Sequence, residues 1–351
     1  MNEKRFSLNS LQNFQVPSKE IKIPIQWGHI SAKVWGNDTN QRPILALHGW
    51  QDNAGTWDPL APMIIQDRAI IAIDFPGHGF SSWIPEGMQY FGWDLPRQIL
   101  AIKEYFKWDK VSLLSHSMGS IASLRFASVF PDDVDFFIGV DSLIYDDYDL
   151  DFVIDKYPKI IQKSLDAQSR LQKEPPCYTM EEIKNKWYLG TRKSVEEGSV
   201  QYLASRGTLP SKTDSNKYYF SRDSRLKYTL FNPEDKKFVE ALIRRLKCPT
   251  LYIKAIDSPY ATDGYSIEMC DILEKSNPKF ERHFVPGTHH VHLNNPEIVA
   301  PLVLSFFKKH NIPNYHSYFN YFRLILKSSS LADESTIINN FEGFYTFVKE
   351  S

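Results

Sequence analysis

The stretch "VSLLSHSMGS", residues 111–120, joins a run of apolar residues to a helix-forming segment through a single serine, Ser117. Where a buried strand runs directly into a helix, the turn is tight, and the residues two before and two after its apex must be small. Ser115 and Gly119 meet that requirement, with Ser115 at a position that is usually glycine. The stretch predicts that Ser117 projects above a sheet as a nucleophile, although a structural serine that opens a helix has the same local pattern.

Short apolar runs that end in turn residues recur along the chain, at 42–49, 68–79, 111–117, 134–141 and 249–257. Strands that are buried on both faces have this composition. Residues 94–106 look helical, and residues 19–36 alternate polar and apolar side chains around a Gly-His pair, as an antiparallel hairpin does. The alternation predicts an α/β fold with a mostly parallel, twisted sheet and helices on both faces.

The strand pattern stops after Asp141 and returns at Cys248, and from about residue 143 to 225 there are helical stretches and no strand-like run. An insertion of that kind predicts a helical cap inside the sheet domain. We therefore divide the chain into an α/β core at 1–142 and 231–312, a helical cap at 143–230 and a C-terminal extension at 313–351. We assign no function to the extension.

The composition excludes several classes of function. With 41 basic and 42 acidic residues, the net charge of −1 produces no overall field that would attract nucleic acid or an anionic membrane. The three cysteines lie far apart and form no CxxC pair, which argues against zinc and redox chemistry and favours a reducing compartment. No run of about 18 apolar residues suggests a transmembrane segment. We expect a cytoplasmic protein without a transmembrane segment or a nucleic-acid partner.

A serine hydroxyl needs a base to become nucleophilic, and "VPGTHHVHLNNPE", residues 285–297, offers three histidines. His289 directly follows the Gly-Thr turn and is the predicted base. His290 and His292 are interpreted as ordinary histidines of a surface loop. "LALHGW", residues 45–50, places a loop at the end of a strand, where backbone N–H groups can bind an oxyanion.

These motifs occur in the order HGW, DFPGHGFSS (74–82), SHSMG and GTHHxHLxxP. From about residue 20 to 310 the chain resembles the α/β-hydrolase superfamily, and "LHGWQDNAGTWD" resembles the serine hydrolase-like proteins, a subfamily of presumed esterases. The resemblance implies Ser117 as nucleophile and His289 as base, the latter also because Pro296 lies seven residues beyond it, as in family members. Ser115 and the C-terminal extension depart from the family pattern.

The acid of the predicted triad has two candidates. Asp257 follows the strand "LYIKAI", where many family members carry the acid. Asp141 ends the strand "FFIGV", and relatives whose later loop reads Ser-Pro-Tyr, as residues 258–260 do here, take the acid from that position. Both fit the chain order of acid after serine and before histidine. Asp141 is preferred, and Asp257 remains the alternative.

The sequence predicts a serine hydrolase that cleaves a carboxylic ester or similar acyl compound through an acyl-enzyme, with Ser117, His289 and Asp141 as triad. The backbone N–H groups of Trp50 and Met118 would form the oxyanion hole. No cofactor or metal is expected, since neither a dinucleotide motif nor HExxH is present. Aromatic residues of the cap and the core are expected to cover the site, where they either line a pocket for an apolar small-molecule acyl substrate or only pack the cap: Trp50, Trp57, Tyr145, Tyr148, Trp187, Tyr188 and Tyr202. The alternative is a protein of the same fold that binds a ligand or partner with negligible turnover.

Overall fold

A computed structural model describes residues 17–36, 41–65, 68–147, 149–228 and 234–312 of the chain. The predicted C-terminal extension therefore lies outside the described residues. The strands are β1 Ser18–Ile25, β2 Gly28–Trp35, β3 Ile44–Leu47, β4 Ile70–Ile73, β5 Val111–His116, β6 Val134–Val140, β7 Thr208–Pro210, β8 Tyr218–Phe220, β9 Thr250–Ala255 and β10 Phe280–Val285. The helices are α1 Ala61–Ile64, α2 Asp94–Tyr105, α3 Met118–Val129, α4 Leu150–Gln168, α5 Met180–Gly190, α6 Val200–Gly207, α7 Lys236–Ile243, α8 Gly264–Ser276, α9 Val291–Asn294 and α10 Pro296–Lys309.

Eight strands form the central sheet in the order β1-β2-β4-β3-β5-β6-β9-β10. The pairs β1–β2 and β2–β4 are antiparallel, and all other pairs are parallel. The predicted α/β architecture is confirmed. The predicted N-terminal hairpin is present, but it turns at Gln26 and Trp27, just before the Gly-His pair. Strand β10 was not predicted from the sequence, because it is an edge strand with mostly half-exposed residues and no apolar run.

Helices cover both faces of the sheet, and the side chains of β6 pack against the helices on each face. Phe136 and Ile138 point to the face that carries α1 and α10, whereas Phe137 points to the face that carries α2, α3, α7 and α8. Successive side chains of a strand point to opposite faces, so a strand covered on both sides must be apolar at every position. This explains the continuous apolar runs in the sequence.

The segment between β6 and α7 holds α4, α5, α6 and two 3₁₀ turns, together with a short antiparallel hairpin of β7 and β8. The expectation of no strands in this insertion was wrong, because three-residue strands leave no detectable alternation in sequence. A buried ion pair between Arg206 and Asp74, 2.7 Å apart, ties the insertion to the core. Asn53 Nδ2 also donates to the carbonyl of Leu203, at 2.9 Å. Among the described residues, no helix has the length and apolar character needed to span a membrane.

The turn between β5 and α3 has the geometry that its small residues predict. Ser117 adopts φ 52° and ψ −119°, an unusual backbone conformation for a residue with a side chain. A Cβ atom on Gly119 would lie 2.6 Å from the carbonyl oxygen of Leu47. The hydroxyl of Ser115, at the position usually held by glycine, hydrogen-bonds that of Ser123 in α3 at 2.6 Å. Helix α3 thus lies so close to the end of β3 that glycine is required at position 119. A serine is accommodated at position 115, where its hydroxyl forms a hydrogen bond.

Gly119→Ala tests this close approach. The new methyl group would also lie 2.8 Å from the carbonyl oxygen of His48, and both obstacles are backbone atoms that cannot rotate away. We expect the free energy of unfolding to fall by about 2 kcal/mol. Gly190→Ala is the matched control, since a Cβ there meets nothing within 4 Å, and its stability should be unchanged or slightly higher. Urea unfolding of both variants measures the difference, and equal stability would contradict the tight turn.

Candidate active site

Three side chains from three loops form one hydrogen-bonded chain. The loops follow β5, β10 and β6, whose carboxyl ends lie at the same edge of the sheet. Ser117 Oγ lies 2.9 Å from His289 Nε2, and His289 Nδ1 lies 2.6 Å from Asp141 Oδ2. A carboxylate can only accept, so Nδ1–H donates to Asp141 and Nε2 is left to accept the hydroxyl proton of Ser117. The structure therefore brings together the three residues that the sequence pointed to.

The carboxylate oxygen of Asp141 that does not contact His289, Oδ1, is also hydrogen-bonded. Asp141 is fully buried at φ 56°, and its Oδ1 accepts hydrogen bonds from Ala255 N–H at 2.8 Å and from Lys254 Nζ at 2.9 Å. The buried ammonium balances the charge of the carboxylate, since an unpaired charge there would be costly. Lys254 was not predicted as a site residue, although a lysine inside the apolar strand "TLYIKA" is a signal that the sequence offers.

Asp257, the alternative acid, takes a different position. Its side chain is exposed and accepts a hydrogen bond from Gly287 N–H at 3.1 Å, while its own N–H donates to the Gly287 carbonyl at 3.1 Å. Within the described part of the chain, no hydrogen bond joins Asp257 to His289. Asp257 thus fixes the loop that carries His289 without contacting the imidazole.

His290 and His292 are buried, so their interpretation as surface histidines was wrong. The loop turns into the short helix α9, and both rings point into the protein, His290 towards the insertion and His292 towards the core. His290 Nδ1 lies 2.8 Å from Ser194 Oγ, and His292 Nε2 lies 2.8 Å from Thr56 Oγ1. Burial lowers the pKa of His292 to about 3, so this ring is neutral at physiological pH. A single sequence does not show which histidines of a loop become buried in the fold.

A buried polar cluster lies beside His289. Asp52 Oδ2 is 3.9 Å from His116 Nδ1 and 3.8 Å from His290 Nε2, and His116 Nε2 lies 2.9 Å from the carbonyl oxygen of His289. Burial raises the pKa of Asp52 to about 7 and lowers the pKa of both histidines well below the usual value. In the described part of the chain this is a donor set that could hold a metal ion. Ligands of a tetrahedral zinc ion lie roughly 3.4 Å apart, given bonds near 2.1 Å, so the side chains as placed do not fit one and we assign no metal.

The loop after β3 passes directly beside the turn at Ser117. A Cβ atom on Gly49 would lie 3.2 Å from Ser117 Cβ, and Trp50 is the next residue. Met118 is the first residue of α3, where a backbone N–H has no acceptor within the helix. Neither the Trp50 N–H nor the Met118 N–H donates to any described residue. Two N–H donors are thus available in the segments that flank the serine.

Ser117 and His289 open onto a cavity of about 1310 Å³. Trp50, Tyr145 and Trp187 line it, as expected, and the indole N–H of Trp50 donates to the Leu226 carbonyl of the insertion at 3.0 Å. The other expected aromatic residues differ in position: Trp57 is buried in the core, Tyr188 and Tyr202 are not among the lining residues, and Tyr148 lies outside the described residues. The insertion and the core together enclose the candidate site.

With this geometry in hand, comparison with known proteins identifies the family. The sequence profile of the alpha/beta hydrolase fold matches residues 42–296. The chain belongs to this family. It is 36% identical to a "Probable serine hydrolase" of Drosophila melanogaster over 83% of this chain and 88% of that protein. It is 30% identical to a "Serine hydrolase-like protein" of Mus musculus, over 81% and 94%.

Solved structures of α/β hydrolases have the same fold. A hypothetical protein from Pseudomonas aeruginosa PAO1 superimposes with a TM-score of 0.68 at 31% identity, over 83% of this chain and 98% of that chain. A thioesterase domain from the curacin biosynthetic pathway superimposes with a TM-score of 0.67 at 20% identity, over 82% and 99%. The resemblance to serine hydrolase-like proteins seen in the sequence motifs is confirmed.

Asp52→Asn tests the polar cluster through the pH dependence of stability. The pKa of Asp52 is raised from 3.8 to about 7 in the folded protein, so the folded state binds more protons between these values. The stabilising contribution of the protonated acid is complete below pH 3.8 and is lost as the pH rises through 7. Asparagine has no such proton to lose.

We therefore expect the free energy of unfolding of Asp52→Asn, relative to the wild type, to increase by about 1 kcal/mol or more between pH 5 and pH 8. The lowered pKa values of the neighbouring histidines make the folded state more stable as the pH rises, which is opposite to the effect of Asp52. These histidines are present in both proteins, so their effect cancels in the comparison. Urea unfolding at the two pH values measures the change. A difference that is independent of pH would show that Asp52 is ionised in the fold throughout this range.

Proposed function

We propose that this protein hydrolyses a carboxylic ester or a closely related acyl compound through an acyl-enzyme formed on Ser117. The observation that carries the proposal is the continuous hydrogen-bonded chain from Ser117 through His289 to Asp141, open to a cavity large enough for a small molecule. Two relatives are named as a serine hydrolase and a serine hydrolase-like protein, which agrees with the proposal.

In the first half of the reaction, Ser117 Oγ attacks the acyl carbon while His289 Nε2 takes the hydroxyl proton. Asp141 holds the imidazole by its Nδ1–H and stabilises the imidazolium that forms. The donors on Oδ1, from Ala255 and Lys254, leave Oδ2 directed at the ring. His289 then gives the proton to the departing alcohol.

Negative charge develops on the substrate carbonyl oxygen as Ser117 attacks. The N–H groups of Trp50 and Met118 are the proposed donors to this oxyanion, and the N-terminal end of α3 favours negative charge at the same place. Removing one such donor costs roughly 10²- to 10³-fold in kcat in a well-studied hydrolase. In the second half of the reaction, water activated by His289 attacks the acyl-enzyme and releases the acid.

The inserted segment, predicted as a cap at 143–230, is proposed to cover the substrate. Its helices and loops supply cavity-lining residues opposite Ser117, among them Tyr145, Trp187 and Leu226. Aromatic side chains provide a wall that binds the apolar part of an acyl substrate and keeps bulk water away from the reacting bond. A cap of this kind would set substrate size and shape, while the core residues carry out the chemistry.

Ser117→Ala tests the nucleophile. Without the hydroxyl no acyl-enzyme forms, so hydrolysis of short p-nitrophenyl esters should fall by roughly 10⁶-fold and labelling by a fluorophosphonate probe should disappear. Ser115→Ala is the matched control, because it also removes a serine hydroxyl from this turn. That hydroxyl is hydrogen-bonded to Ser123 in α3 and not to His289. This control should keep its labelling. Wild-type hydrolysis by Ser117→Ala would show that Ser117 is structural.

A paired substitution distinguishes the two aspartates. Asp141→Asn keeps the shape of the side chain but favours the wrong imidazole tautomer, which should lower kcat by roughly 10⁴-fold. Asp257→Asn changes a residue that contacts the loop but not the ring, and a small loss is expected. Both variants are assayed on the same ester, with circular dichroism to verify folding. The reverse ranking would transfer the role of the acid to Asp257.

A further inference from the structure

Arg222 is a cation in the wall of the cavity that contains Ser117. It follows β8 and precedes the 3₁₀ turn Ser224–Tyr228. Its guanidinium carbon lies 4.1 Å from the centre of the Phe220 ring and 5.7 Å from that of Trp187. Stacking on an aromatic ring holds a guanidinium in place and leaves the N–H donors at its edge free.

Arg222 has no carboxylate within ion-pair distance among the described residues, and it makes no hydrogen bond there. Three buried arginines do have such partners, whereas Arg222 is half-buried: Arg125 pairs with Glu234 at 2.8 Å, Arg206 with Asp74 at 2.7 Å and Arg225 with Asp223 at 2.7 Å. The contrast matters because a cation that loses water is stabilised only by an anion or hydrogen bonds in its place, and Arg222 keeps part of its contact with water.

The charges around Arg222 leave its positive charge only partly compensated. Burial lowers the pKa of Arg222 to about 10, so the side chain is still protonated at neutral pH. Asp52 attracts it through space, but the raised pKa of that acid, about 7, leaves it partly protonated. Lys227 adds positive charge nearby, and burial, Arg222 and Lys186 together lower the pKa of this lysine.

We propose that Arg222 binds a carboxylate on the substrate that is separate from the ester group that is cleaved. The planar guanidinium, stacked by one face, offers two parallel N–H donors in its plane, and a carboxylate matches that arrangement. The substrate then combines an apolar body, which packs against Trp187 and its neighbours, with an anionic end at Arg222. This inference rests on the proposed hydrolase function and narrows the substrate class from esters in general to esters that carry a carboxylate.

The test compares carboxylate esters with neutral esters of matched length. One pair carries the carboxylate on the acyl side, p-nitrophenyl hydrogen adipate against p-nitrophenyl hexanoate. A second pair carries it on the alcohol side, 4-acetoxybenzoate against its methyl ester. For each pair the ratio of kcat/KM, carboxylate over neutral, is measured in the wild type and in the variants.

In at least one pair we expect a wild-type ratio above one, which Arg222→Met lowers by roughly 10- to 100-fold, chiefly through KM, because a charge-assisted hydrogen bond is lost. Arg222→Lys keeps the charge without the fork and should give an intermediate ratio. It also serves as the second variant if Arg222→Met does not fold. Arg170→Met removes one positive charge from the exposed surface of the same insertion and should keep the wild-type ratio.

The outcomes separate this inference from the proposed function. If the wild type hydrolyses the neutral esters and neither ratio depends on Arg222, carboxylate binding is overturned while the serine hydrolase function stands. If the wild type hydrolyses none of the four esters and the fluorophosphonate probe does not label Ser117, the proposed function and this inference both fail. A ratio that falls equally in Arg170→Met would reduce the effect to overall charge and overturn the role of Arg222.

Discussion

The close approach of β3, β5 and α3 at Ser117 is the constraint on which the rest of the site depends. The unusual backbone conformation of Ser117 costs of order 1–3 kcal/mol, and surrounding contacts must offset that cost. The N–H of Ser117 donates to the carbonyl of Val140 at 3.1 Å, and Gly119 allows α3 to lie against the end of β3. The same contacts that hold the turn also place it between the strand that leads to Trp50 and the strand that leads to Asp141.

A second layer of buried polar contacts connects this turn to the insertion. His116 precedes Ser117 in the chain and lies 2.9 Å from the carbonyl oxygen of His289. His290 reaches Ser194 of the insertion, and the Ser194 carbonyl accepts a hydrogen bond from Thr288 at 2.7 Å. The loop that presents His289 is therefore fixed from below by the core and from above by the insertion. A shift of the insertion would be transmitted to the imidazole through these hydrogen bonds.

The insertion contributes charge as well as apolar surface to the cavity. Arg206 and Arg225 neutralise buried carboxylates and hold the insertion in place, whereas Arg222 faces the cavity without such a partner among the described residues. Three arginines within 20 positions of sequence thus have two different roles, and the roles differ because the surroundings of the side chains differ. The paired arginines stabilise the insertion, and the guanidinium of Arg222 is available to bind the substrate.

The sequence by itself determined the α/β class, the turn at Ser117 and the histidine loop, because each depends on local spacing and on the composition of buried strands. It also narrowed the acid to Asp141 or Asp257, since both follow apolar strands. Only the tertiary structure decided which of them lies beside His289, that Lys254 supports it, and that His290 and His292 are buried. These contacts join residues that are far apart in the chain, and their distances follow from the packing of the sheet and the insertion, which no local pattern encodes.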